Sequence, residues 1–388
     1  MKLAPSMFRR LLLAVLLLSG FMQTPVLAEY IITGNDNKAL VVDGKLLIDP
    51  EGRQTVSLID ISGRSPTLRI TLEIPNSIYG PPTNLAISPL GTIALVAEAV
   101  KLNEDASKFV PSDQVHVIDL TVDPPKEIDS ITVGKQPSGM SIHPNGRMAL
   151  VANRAETSLS ILSIQGKTVR FVGKVETKDQ VTHVVFTPDG RQALATKATS
   201  NKVAFLEVDG LKVTYTGRDL PVGDYPYSAD ISPDGQIAIT ANAGNNSRSD
   251  GNMDTVSVID IGADPPRVID HIAVGECPET VAICPTGELA VTGNLNGSDV
   301  APDAFFHSPH GSISVLGIEG KKVTKVQEIL LGPIAEALAF SPDGKWLFVG
   351  SLNHQNVSVL KVEGRKVLDT GKRIPLPGRP GSMRSRSR

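Results

Sequence analysis

Four side chains able to move protons stand at matched distances from a repeated turn phrase. Glu279, Glu336 and Tyr227 each lie five residues ahead of a phrase of the Ser-Pro-Asp-Gly kind, and His183 lies four ahead of another. Equal spacing from equal turns puts them near one level of the structure. Two carboxylates, an imidazole and a phenol around one opening suffice for general acid–base chemistry or for holding a cation. Thr83, Ser138 and Thr182 take the same position in the other copies, with Asn84 one residue further in, level with His183. Asn84, Ser138, Arg154, Asn242, Asn294 and Asn353 are candidate ligand contacts on the same side. The plainer alternatives are a hydrated channel entrance and, for the asparagines, bonding to turn backbone.

A second group could bind a metal. His307 and His310, with Asp299 and Asp303 upstream, offer imidazole and carboxylate ligands to a divalent cation, although Pro309 constrains the two rings and spacing alone sets no geometry. Asp250-Gly-Asn-Met-Asp254 offers oxygens to Ca²⁺ but lacks the ligand spacing and distal Glu of the known loop. The chain has no Gly-x-Ser-x-Gly, Gly-x-x-x-x-Gly-Lys, His-Glu-x-x-His or Cys-x-x-Cys-His motif, which argues against a serine-nucleophile hydrolase, a phosphate-cradling loop and attached haem.

The elements that must carry these residues are short strands. The turn phrase occurs as Ser88-Pro-Leu-Gly91, His143-Pro-Asn-Gly146, Thr187-Pro-Asp-Gly190, Ser232-Pro-Asp-Gly235, Cys284-Pro-Thr-Gly287 and Ser341-Pro-Asp-Gly344, at intervals of 44 to 57 residues. Pro sets φ, Asp or Asn bonds its own backbone and Gly takes positive φ. Each interval reads as four strands: a short apolar run before the turn (A), Met148–Ala152 and its equivalents after it (B), an alternating run such as Ser158–Ile164 (C) and a polar outer strand such as Val169–Val175 (D). A unit of this length is a propeller blade. Glu29–Gly80 supplies strands B, C and D of a further blade, and Pro377–Met383 repeats the lead-in to a strand A. The expectation is an all-β, seven-bladed β-propeller over 29–388 whose two ends share one blade, closing the ring.

Thr255-Val-Ser-Val-Ile-Asp-Ile261, Ile272-Ala-Val-Gly-Glu-Cys-Pro278 and Leu289-Ala-Val-Thr-Gly-Asn294 resemble the YVTN β-propeller repeat, with Ala149–Asn153 and Ile237–Asn242 as variants of its signature. The resemblance covers essentially the whole chain after residue 28. It implies the propeller fold. Among family members and neighbours it implies YncE-like periplasmic proteins, surface-layer proteins, lactonases and chains resembling the methylamine dehydrogenase heavy chain. The signature Tyr is absent, and one blade ends strand B in Ala195-Thr-Lys197, so no active site is carried over.

Met1–Ala28, with Lys2, Arg9 and Arg10 before Leu11–Leu18, reads as a cleaved signal peptide. The expected location is therefore periplasmic or secreted, with no membrane span afterwards. A net charge of −3 makes nucleic acid an unlikely partner. Cys277 and Cys284 would stand about 23 Å apart at the ends of one strand, too far to bridge. Insertions at 101–114, 244–254 and 295–311 fall between strands B and C, crowding one face of the ring, where a protein or small-molecule partner is expected. Two functions stay open: a binding scaffold acting through that face and the channel mouth, or a lactonase-type hydrolase using the acid–base residues, with or without a divalent cation. The basic tail Arg384–Arg388 is expected to extend the closing strand and fray.

Overall fold

The computed structural model describes residues 29–386, so the signal-peptide reading lies outside the described residues. Seven four-stranded antiparallel sheets form the chain, and six follow the order A-B-C-D along the sequence. Blade 2 is representative, with Pro137–Ile142, Met148–Asn153, Ser158–Gln165 and Thr168–Glu176. The seventh sheet places Pro380–Arg384 beside Tyr30–Asn35, followed by Thr55–Asp60 and Thr67–Glu73. Asn35 pairs with Pro380 and Ile32 with Arg384, so the last described strand closes the ring. No helix among the described residues is long and apolar enough to cross a membrane.

The A–B turns form as their composition dictates. All six closing glycines have φ between 67° and 75°, and each glycine N–H donates to the carbonyl of the first turn residue at 2.7–2.8 Å. In Ser232-Pro-Asp-Gly235 the hydroxyl also donates to Asp234 at 2.6 Å and accepts the Ile237 N–H at 3.0 Å. Cys284 fills this place in blade 5, and both cysteines are buried free thiols.

Packing lies between neighbouring blades. Leu95 and Val117 of blade 1, for example, share one buried cluster with Met140 and Val151 of blade 2. At the end of strand B a second device recurs. Asn242 donates to Thr255 and Ser257 of strand C at 3.1 and 2.9 Å, and Asn294 donates to Ser312 and Ser314, both at 3.1 Å. The glycine entering the same blade lies against this amide: a Cβ on Gly223 or Gly275 would meet it at 2.3 or 2.6 Å. Blade 3 substitutes Lys197, fully buried, whose ammonium donates to Asp219 at 3.0 Å and to the Tyr215 hydroxyl at 3.2 Å. Burial pulls the Lys197 pKa down, but these two partners more than offset it.

Two expectations about the insertions change. The 101–114 segment is mostly strand, because Ile93–Leu102 and Phe109–Asp119 extend the B–C hairpin. A fourth insertion is present, a hairpin of Ala39–Val42 and Lys45–Ile48.

Candidate functional site: a carboxyl pair under the looped face

Strand A begins at the looped face, and the first residues of the inner strands surround the axis there. Glu279 and Glu336, from adjacent blades, are 9% and 7% exposed, and their carboxyl groups lie close enough that each shifts the other's pKa. Burial, then the charge of Glu279, pushes Glu336 well above the usual carboxylate range. Glu279 is raised less: burial is opposed by the bonds from Glu336 and Ser247 and by the charge of Arg154. The two carboxyls titrate as a pair, with Glu336 the more strongly raised.

Arg154 leaves strand B of blade 2 and reaches across the mouth, its guanidinium carbon 5.4 Å from the Tyr227 ring centroid. Burial alone would lower its pKa, but Tyr227, Tyr225 and Glu279 raise it, so the cation is kept. On the side of the ring formed by blades 1 and 2, Thr83 Oγ1, Asn84 Oδ1, Ser138 Oγ and Arg154 Nε are buried without a hydrogen-bond partner. Most buried polar atoms find partners. Four orphans on two adjacent blades therefore leave hydrogen-bonding capacity unmet beneath this side of the mouth.

The rim is held under strain. Gln136, Tyr225, Cys277 and Ile334, each leading into an inner strand, have φ of 50–57°. For a β-branched residue such as Ile334 this left-handed conformation costs about 1–2 kcal/mol. The carbonyls of these four residues accept the N–H groups of Arg154, Ala243, Leu295 and Leu352, which ties each strained residue to the B–C loop of its own blade. The long insertions also interlock. The Ser247 hydroxyl donates to Glu279, Ser249 Oγ accepts the Gly297 N–H at 3.1 Å, and Ser298 Oγ accepts the Ile334 N–H at 2.8 Å.

With that geometry in hand, residues 96–225 match the family model described as lactonase, 7-bladed beta-propeller, and residues 332–355 match the WD domain, G-beta repeat. No curated protein matches the sequence. Several solved structures share the architecture. A putative 6-phosphogluconolactonase from Bacteroides fragilis is 14% identical with a TM-score of 0.70, over 92% of this chain and 98% of that one. The periplasmic gluconolactonase of Pseudomonas aeruginosa is 14% identical with a TM-score of 0.66, over the same 92% and 98%. Hydrazine synthase of Kuenenia stuttgartiensis is 18% identical with a TM-score of 0.62, over 81% and 91%. In fold, the chain is a seven-bladed β-propeller. At these identities the likeness is one of fold.

In this propeller, Glu279, Glu336, Tyr227 and Arg154 come together at the mouth, with Ser138 beside Arg154, whereas the Asn84 amide donates to the Ser77 and Ala97 carbonyls at 2.9 and 3.3 Å. His183 does not join them. Its Nδ1 accepts the Ala229 N–H at 3.2 Å, and its ring lines a cavity of about 500 Å³ that runs to the opposite, A–B turn face. Asn242 and Asn294 spend their amides on strand C, and Asn353 donates to the Val41 carbonyl at 3.2 Å. These three are scaffold rather than ligand contacts. The expected metal cluster is not assembled: among the described residues no group of three or more His, Cys, Asp or Glu side chains could hold a metal ion. His310 Nδ1 donates to the Leu331 carbonyl at 3.1 Å and Asp303 is exposed. Asp299 instead accepts the Ser249 N–H at 3.4 Å and adds negative charge beside the glutamates. The Asp250–Asp254 segment likewise turns inward: Asp254 accepts the Cys277 N–H at 2.8 Å, and burial raises its pKa to about 6.

The sequence reading missed Tyr225, Ser247, Asp230 and Arg384. A signal existed for Arg384. Pro380 pairs with Asn35 as Pro278 pairs with Asn294, so Arg384 stands in register with Ala282 on the channel wall.

Proposed function

We propose that the protein is an exported ring-ester hydrolase that opens a hydroxylated lactone at the looped-face mouth. The observation that carries this reading is the buried Glu279–Glu336 pair, both carboxyls raised, with the Arg154 guanidinium beside it and the orphaned polar atoms of Thr83, Asn84 and Ser138 on the neighbouring inner strands. The match of residues 96–225 to the lactonase family model and the likeness to the two gluconolactonase structures support it.

The chemistry balances within these residues. The lactone carbonyl oxygen points at Arg154, and hydroxyls on the ring satisfy Thr83, Asn84 and Ser138. The Glu279 carboxylate takes a proton from water as the water oxygen bonds to the carbonyl carbon, and Arg154 stabilises the oxyanion. The ring C–O bond then breaks as Glu336 gives its proton to the departing alkoxide. The proton gained by Glu279 passes to Glu336 through their shared hydrogen bond, restoring the pair.

The test is hydrolysis of a panel of aldonolactones by the chain from residue 29, followed by pH-stat. Glu336→Gln should lower kcat/KM by about 10²-fold or more, the size of a general-acid contribution. If Glu336→Gln and Glu279→Gln both leave turnover of every responsive lactone unchanged, the reading fails. A binding role without turnover is favoured by one feature, the slight exposure of both glutamates. Saturable lactone binding with no ring opening would select it.

A further inference from the structure

We propose that the channel cavity on the turn face is a second, separate binding site that takes a small organic monocarboxylate, its anionic group on Arg384 and its apolar body toward the turns. The wall residues two places before each turn are Ala86, Ser141, Val185, Asp230, Ala282 and Ala339, and Arg384 completes the ring from the closing strand. Four of these seven are Ala or Ser, which leaves a chamber of about 500 Å³, within the roughly 300–1,000 Å³ usual for small-ligand sites. One place nearer the turns, Ile87, Ile142, Phe186, Ile231, Ile283 and Phe340 form an apolar collar, each 4–7% exposed.

The polar groups choose the ligand. Arg384 is a cation set into this wall, and among the described residues it forms no ion pair; its guanidinium donates only to the Met383 carbonyl, at 3.2 Å. Burial pulls its pKa down to about 10, and only the charge of Asp230 opposes that shift. A half-buried charge without a partner is costly, and an entering anion reduces that cost. Asp230 forms no ion pair with Arg384; its two oxygens accept the Ile231 and Ile283 N–H groups at 2.9 and 2.7 Å. His183 adds a donor. Since Nδ1 accepts the Ala229 N–H, the neutral ring carries its proton on Nε2, and burial together with the Arg384 charge keeps it neutral. Arg386 also lines the cavity but is paired with Glu29, which leaves one unpaired guanidinium and one imidazole N–H, suited to a single carboxylate. A second negative charge, as on a phosphate, would meet Asp230.

The proposal does not rest on the hydrolase reading, and its probes contain no ester. Titration calorimetry of the full chain with benzoate, hexanoate and octanoate should show saturable binding of at least one. The matching neutral amide and inorganic phosphate should bind at least tenfold more weakly. Arg384→Met, and Ala282→Leu, which fills the chamber without touching the cation, should each weaken the carboxylate at least tenfold. Should Arg384→Met fail to fold, Ala282→Leu decides alone. Absence of saturable carboxylate binding, amide or phosphate binding as tight as carboxylate, or folded variants that bind as the parent does would each overturn it.

Discussion

Glu336 carries a proton at pH values where an exposed glutamate has none, and this has two measurable consequences. The first concerns rate. Glu279 must be ionised to act as base and its pKa is raised, so kcat/KM should climb with pH through a range above the usual value of 4.5. It should fall again where Glu336 loses its proton; Glu336→Gln should abolish that alkaline limb in the activity that remains. The second concerns stability. The folded pKa of Glu336 lies above the unfolded one, so between them the native state binds the extra proton and stability drops as pH rises. Glu336→Gln removes that penalty. Its Tm should exceed that of the parent at pH 8 and lose the advantage by pH 4, and a difference of the opposite sign would refute the assignment. These positions were legible because a repeated turn provides a ruler: five residues before Ser-Pro-Asp-Gly is one place in space. Arg384 was not, because its blade has no turn phrase and its register depends on pairing with residues some 350 positions away.

At the scale of the blade, the Asn–Ser–Gly brace at the end of strand B is scaffold. Asn294→Ala removes two donated hydrogen bonds, to Ser312 and Ser314, and should cost about 1–3 kcal/mol. The cost should show as a lower denaturant midpoint at unchanged m, with lactone turnover intact. A loss of turnover at full stability would return Asn294 to the ligand contacts. The asparagines were ambiguous in sequence because strand-C hydroxyls 13 to 20 residues away accept from them, and only the strand pairing shows this. The Ala39–Ile48 hairpin escaped for a different reason. Its strands are largely exposed and carry little alternation, yet Asp43 and Gly44, with φ of 47° and 72°, are the Asp-Gly pair that favours a two-residue hairpin turn.

For the whole ring, the seven-blade count and its closure were readable from the repeats, since a segment with strands B, C and D needs a strand A from elsewhere. Which end of the channel is roomy was not readable, because it depends on how far the insertions lean over the axis. A chain truncated after Pro377 loses the buried Met383 from the core and uncovers the edge of Tyr30–Asn35. It should melt at a markedly lower temperature than the parent and self-associate through that edge, as light scattering after size exclusion would reveal. A monomer of parental Tm would show the closing strand to be dispensable.

The pairing of Ile32 with Arg384 also sets a clock on biosynthesis. At a translation rate of about 5–20 residues per second, Tyr30–Asn35 waits roughly 20–70 s for its partner strand to be made. Throughout that interval a nascent chain presents an apolar strand with one unpaired edge. A ribosome stalled anywhere before Pro380 therefore leaves behind a chain ready to join its edge to a neighbour's, and the demand for chaperone protection of this protein is set by its final strand.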